Sequence, residues 1–398
     1  MTDTSAWATA VAAYGLGPPQ ELLERGPIED ATWPRLLEVA RSQRLMGLLR
    51  QAANDGVLAL QGGQWATLEE SYRRTAEQTA RAEQSTAYMA ETLRGAGIES
   101  RILKGPAMAH LDYPSPDLRP YVYSNLLVRS DEFVETVALL NRLGFERAHA
   151  EPSHGFDARF RKGSVLASGS GAVVELHRTI ADGAYAMIVE HRELFRTSSP
   201  LRLCGVDVVA LSPEERLLHA CFEARVGDTK PLLIRLRDIV QLVLTHDLDI
   251  DRVEGLSGAW GAQSLVAEAV RRAWTLLGVT DMVPLSAWAA AHRTTRKERR
   301  RLLAYHRARS RSLVSLQALA AIRPRAQVFI YLKAVALPDR SYLEGHYRGH
   351  LSRWWRVAGT TLTPTRSKAR PVRDKLAPRV PDDELLELSW ARVAPQPA

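Results

Sequence analysis

The sequence predicts an α+β fold: a small mixed sheet flanked by helices, with further helical regions at both ends of the chain. Three observations predict it. Between residues 98 and 210, short apolar runs alternate with helical patterns in the order strand, helix, strand, helix, then several strands. That series is too short for a long doubly wound sheet. Before it, Trp65 to Gly97 is one long stretch of good helix formers that ends at glycines. After it, from Ser212 onward, the chain is mostly helical in pattern. The expected organisation is an N-terminal helical region at 1–97, an α/β core at 98–210, a C-terminal helical domain at 211–358, and a weakly packed basic tail at 359–398.

Each element has a local reason. Spaced apolar residues after Trp33 predict a helix there, and the 65–97 helix would pack mainly on one face through Leu68, Tyr72, Ala76, Thr79 and Ala80. Arg101–Leu103 reads as a short strand, Lys104-Gly105-Pro106 as a turn, and a short helix follows toward His110, with Pro106 suited to its first turn. PYVYSNLLVR reads as the second strand, with Tyr123 and Asn125 on one face. SDEFVETVALLNRLGF is an amphipathic helix that Ser130 can cap and Gly144 ends. Phe156–Phe160 and Val173–His177 read as strands around a glycine-rich turn. In the second of these, Glu175 and His177 share one face, and Val174 and Leu176 share the other. LRLCGVDVVAL is a strand pair joined at Gly205. Ser212, Pro213 and Glu215 spell a helix start with a capping box.

Composition excludes several classes. No apolar run approaches the length of a membrane span, and the first residues lack the basic start and long apolar core of a signal peptide. Cys204 and Cys221 alone make neither a disulfide framework nor a thiolate zinc cluster, and a cytoplasmic location fits. The formal net charge of +8 is local: residues 293–311 carry nine Arg or Lys against one Glu, and residues 359–380 carry six against one Asp. No aromatics interleave these runs for base stacking, so they read as a solvated helix face and a basic tail, and a nucleic-acid partner is disfavoured. No Walker phosphate loop, dinucleotide fingerprint or compact metal-ligand motif occurs.

Six ordered blocks carry a resemblance: LKGPAMAHLDYPSPDLRP, LLVRSDEFVETVALLNRLGF, VVELHRTI, LSPEERLLHACFEA, LRDIVQLV and LPDRSYLEGHY. Together, over roughly residues 30–355, they resemble a bacterial family of uncharacterised nucleotidyltransferase-like proteins that often accompany peptide or other specialised-metabolite gene sets. The resemblance implies a nucleotidyltransferase-like mixed sheet. It also implies that the strand after Arg119-Pro120 should read like Gly-Asp-Ile-Asp-Leu-Leu-Val. Tyr123 and Asn125 stand at the two aspartate positions here, with Ser124 between them. Glu175 matches the third acidic position, His177 accompanies it, Lys104-Gly105 matches the turn where related transferases hold phosphates, and Asp238 matches a frequent acidic position among the helices.

The usual carboxylates hold Mg²⁺ ions that neutralise phosphate charge and orient the attacking group. A phenol with a pKa near 10 is no ordinary Mg²⁺ ligand, and Asn125 supplies a carbonyl oxygen without charge. No cofactor is firmly implied; Mg²⁺ is admitted only with a phosphate-bearing ligand. Three readings stay open: a degenerate site that still binds, a reaction without metal, or another acid moved in, with Asp112, Asp117 and Asp157 near in sequence. Glu175, His177 and Lys104 are the candidate catalytic residues, the first two as an acid–base pair. Gly105, Arg119, Tyr123, Ser124, Asn125 and Asp238 are the candidate ligand-binding residues. Arg119 can clamp an anion or orient its loop, and Asp238 can pair with Arg235 or Arg237. His154 reads as a surface residue, and His219 with Cys221 is not a nucleophile site.

Two function classes remain in competition. One is a biosynthetic enzyme with a departed site, acting on a small metabolite or modified peptide. The other is a catalytically inactive relative that binds a nucleotide, a peptide or a biosynthetic protein partner. A membrane partner is not expected.

Overall fold

A computed structural model describes residues 4–17, 21–24, 26–227, 232–306 and 318–346. The tail at 359–398 and residues 307–311 of the basic run lie outside the described residues. The helices are α1 (Thr4–Ala13), α2 (Glu21–Glu24), α3 (Trp33–Ser42), α4 (Met46–Asn54), α5 (Gly62–Gly95), α6 (Lys104–Leu111), α7 (Phe133–Arg142) and α8 (Phe156–Phe160). They continue as α9 (Pro213–Phe222), α10 (Leu233–Thr245), α11 (Ile250–Ala259), α12 (Gln263–Leu277), α13 (Pro284–Ala291), α14 (Arg296–His306), α15 (Ala326–Ala336) and α16 (Arg340–His346). The strands are β1 (Ser100–Ile102), β2 (Ser124–Val128), β3 (Phe145–Arg147), β4 (Gly163–Ser168), β5 (Val173–His177), β6 (Ser199–Leu203) and β7 (Val206–Ala210).

The fold is a seven-stranded mixed sheet flanked by helices, in the order β3-β4-β5-β2-β1-β7-β6. β2 runs parallel to β5 and β1 parallel to β7, while the other pairs are antiparallel. Leu126, Val128, Val174 and Leu176 are fully buried and pack with Met89 and Leu93 of α5 and with Phe133, Val137 and Leu140 of α7. A larger core joins the N-terminal helices to helices that follow the sheet: Trp7 and Val11 of α1 and Leu36 of α3 share it with Leu236 and Ile239 of α10 and Val266 of α12. Arg237 of α10 reinforces that junction by donating to the carbonyls of Ala12 and Tyr14 at 2.8 and 2.6 Å. Among the described residues no helix is long and apolar enough to cross a membrane.

Four local expectations need correction. Phe156–Phe160 is a helix, not a strand. Its two phenylalanines, four residues apart, lie on one helical face and meet the Tyr331 ring of α15 at centroid distances of 5.5 and 5.2 Å. The strand before the glycine-rich turn is β4 instead, where a Cβ at Gly163 would lie 2.0 Å from the Leu176 carbonyl oxygen. The strand expected from Pro120 begins only at Ser124, so Tyr123 stands one residue outside it. Ser130 does not cap α7, because its hydroxyl donates to the Arg178 carbonyl at 3.2 Å. Ser212 occupies the cap position of α9 but hydrogen-bonds Glu214, and Glu215 is buried against Arg252 and Thr197, so no capping box forms.

Leu176 has no solvent exposure and sits where β5 packs between β4 and β2. We expect Leu176→Ala to lower unfolding stability by about 2–5 kcal/mol in chemical denaturation, with near-native circular dichroism before the transition.

Candidate functional site

A cleft opens where the start of α6, the start of β2, the middle of β5 and the end of α9 meet. Its empty space is about 540 Å³, counting the mouth open to solvent. Parallel pairing sets Asn125 beside Glu175 in register, so both side chains leave the same face of the sheet. Strand alternation sends Ser124 the other way: it is fully buried and hydrogen-bonds Thr86 of α5 at 3.1 Å, away from the cleft. Tyr123 lines the cleft from just before β2, with the Arg44 guanidinium 5.9 Å from its ring centroid.

Lys104 opens α6 with φ at +54°, a left-handed conformation uncommon for a side-chain-bearing residue. Its ammonium lies 2.5 Å from Glu175 Oε2 and 3.6 Å from Glu223 Oε2. Gly105 follows because nothing larger fits: a Cβ there would lie 2.4 Å from Tyr121 Cβ. Its place at the cleft wall is therefore set by packing.

Glu223 was not singled out in the sequence. It begins a π-helical turn, Glu223–Gly227, that extends α9. The available signal was an acid four residues after His219 in a helix otherwise buried. Lys162 Nζ lies 2.7 Å from Glu223 Oε1, and Arg235 lies 3.6 Å from Oε2. Burial alone would raise the Glu223 pKa, but Lys104, Lys162 and Arg235 together hold it well below the usual carboxylate range. His177 sits behind Glu175, its Nε2 3.5 Å from Oε2, and does not line the cleft. Burial, reinforced by the charge of Lys104, brings its pKa down to about 4. His219 does line the cleft, and burial holds it well below the ordinary imidazole value.

Arg119 and Asp238 reach the cleft wall but spend their charged groups on each other. The guanidinium donates twice, Nε to Oδ1 at 2.7 Å and the terminal nitrogen to Oδ2 at 2.8 Å, and Tyr113 donates to the same Oδ1 at 2.8 Å. Asp238 therefore pairs with neither Arg235 nor Arg237. The pair joins the loop before β2 to α10 with almost no solvent exposure. None of the three acids near in sequence enters the cleft. Asp112 is buried on Arg216 and His246, Asp117 is exposed, and Asp157 pairs with Arg147. The His154 side chain is 99% exposed.

The donor set does not fit a pair of Mg²⁺ ions. Of the four positions the resemblance assigns to acids, one is a phenol, one an amide, one a carboxylate already bonded to an ammonium, and the fourth, Asp238, is taken up by Arg119. What the cleft does offer is fixed positive charge from Lys104, Arg44 and Arg235. It also offers a buried acceptor, Asn125 Oδ1, with no hydrogen-bond partner among the described residues.

A family model described as an uncharacterised nucleotidyltransferase matches residues 29–278. A solved structure, of an antigenic nucleotidyltransferase-like protein from Paracoccidioides brasiliensis, is similar at 15% identity and a TM-score of 0.32, covering 51% of this chain and 94% of that one. No curated protein matches significantly.

Removing one partner of the Arg119–Asp238 pair leaves a buried charge uncompensated. Asp238→Ala is expected to cost about 3–5 kcal/mol of stability in denaturant titration. The depressed His177 pKa also gives a pH signature. The unfolded chain takes up this proton first, so its contribution is full above about pH 6.5 and is lost as pH falls toward 4. Thermal melts across that window should show the loss, and His177→Gln should lessen it, the remainder coming from His219 and His191, which burial lowers in the same direction.

Proposed function

The chain belongs to the family described as uncharacterised nucleotidyltransferases, and from that premise we propose that its cleft binds the phosphate groups of a nucleotide without divalent metal. The observation that carries this reading is the Lys104 ammonium, 2.5 Å from Glu175 and lining the cleft. An ammonium at the head of a helix is a phosphate ligand in its own right, and the helix dipole adds to it. Arg235 and Arg44 bring further cationic side chains to the same wall. Tyr123 offers a ring for stacking, and Asn125 Oδ1 offers an acceptor for a sugar hydroxyl or a base N–H.

Recognition ranks ahead of group transfer for a physical reason. A carboxylate held at 2.5 Å by an ammonium is a weak base, and Glu175 is the carboxylate that would deprotonate an acceptor. Transfer to a small metabolite or a modified peptide is the second reading. It is favoured by the second carboxylate, Glu223, which also lines the cleft. The setting rests on the resemblance for a bacterial role in specialised metabolism with a biosynthetic protein partner, and on the two cysteines for a cytoplasmic location.

Calorimetric titration with ATP and the other nucleoside triphosphates, in Mg²⁺ and in EDTA, tests this. The expected result is binding of similar strength in both buffers, weakened about 10- to 100-fold by Lys104→Ala. Binding that requires Mg²⁺ would overturn the metal-free reading, and no binding in either buffer would overturn the nucleotide.

A further inference from the structure

We propose that Lys104 and Lys162 are the resident cations of this cleft, two ammonium groups held by Glu175 and Glu223 in place of divalent ions. This deepens the reading above and rests on it only for the identity of the incoming ligand. The four groups arrive from four separate places: the head of α6, the residue before β4, the middle of β5 and the π-helical turn after α9. Lys104 bridges both carboxylates, at 2.5 and 3.6 Å, and Lys162 closes on Glu223 at 2.7 Å. With Arg235 also 3.6 Å from Glu223, the two carboxylates are held among three cations, and of the two lysines only Lys104 lines the cleft.

Three further observations agree. Asn125, next to Glu175 in register, adds an oxygen without adding charge, which suits a site whose cations are singly charged. The imidazoles of His177 and His219, packed 6.4 Å apart beside the cluster, are held toward the neutral form by burial and by both lysines. The left-handed backbone at Lys104 marks a residue whose conformation the surroundings enforce. A divalent ion reaching Glu175 would have to displace the ammonium already bonded to it. The cleft is therefore built to take a phosphate group stripped of its metal, with the exposed side of Lys104 as its first contact.

Mn²⁺ binding to the full-length protein without nucleotide, followed by electron paramagnetic resonance of the free ion, separates this from the nucleotide reading. Wild type is expected to show no Mn²⁺ binding that Glu175→Gln removes. Lys104→Ala is expected to bind Mn²⁺ at least about tenfold more tightly than wild type, with the gain lost in Lys104→Ala/Glu175→Gln. Lys104→Arg, which keeps a cation, should show no gain. Mn²⁺ binding by wild type that depends on Glu175 would overturn the proposal. So would a folded Lys104→Ala that binds no more tightly than wild type. If Lys104→Ala does not fold, the wild-type and Lys104→Arg titrations decide.

Discussion

The parallel pairing of β2 with β5 is the constraint from which the cleft follows. It fixes Asn125 against Glu175 and Leu126 against Leu176, so one strand face is committed to the core and the other to the cleft. A slip of one residue would exchange these faces and bury Glu175 where Leu176 now packs. The apolar side of the same two strands supplies the free energy that holds this register. Site geometry and core packing are here one property of the sheet.

Charge on the polar face is then managed by neighbours rather than by solvent. Every carboxylate lining the cleft has a cationic partner: Glu175 has Lys104, Glu223 has Lys162 and Lys104, and Asp238 has Arg119. Buried ions are tolerated only when paired and hydrogen-bonded. The fork of Arg119 on Asp238 is completed by Tyr113. It spans from the loop before β2 to α10 and so sets how the helical wall faces the sheet. Gly105, closed against Tyr121, leaves that wall no room to settle differently.

Much of this was legible in the sequence, and what was not has physical causes. Val173–His177 could be placed because apolar and polar residues alternate from Val174 to His177. The hairpin around Gly205 could be placed because a glycine between two short alternating apolar runs has few other uses. Phe156–Phe160 was misread because five residues with aromatic ends suit both periods, and the partner that decides, Tyr331, lies far along the chain. Ser124 lies between two cleft residues in sequence, and strand alternation turns it to the opposite face. Glu223 and Lys162 stayed hidden because their significance is pairwise. Each is an ordinary charged residue until the fold brings them to 2.7 Å. The partner of Asp238 was missed for the same reason, since Arg235 and Arg237 are near in sequence while Arg119 is near only in space.

The core shared by the N-terminal helices and the helices after the sheet bears on how the protein is made. Trp7, Val11 and Leu36 emerge early, but the residues that cover them, such as Leu236, Ile239 and Val266, are translated only after the whole sheet. At about 5–20 residues per second, the early helices wait on the order of ten seconds or more for their partners. During that interval their apolar faces have only part of their final core, such as Leu45, Leu49 and Leu68, and loop closure over such a distance is slow. Completion of this core therefore waits on the helices that follow the sheet.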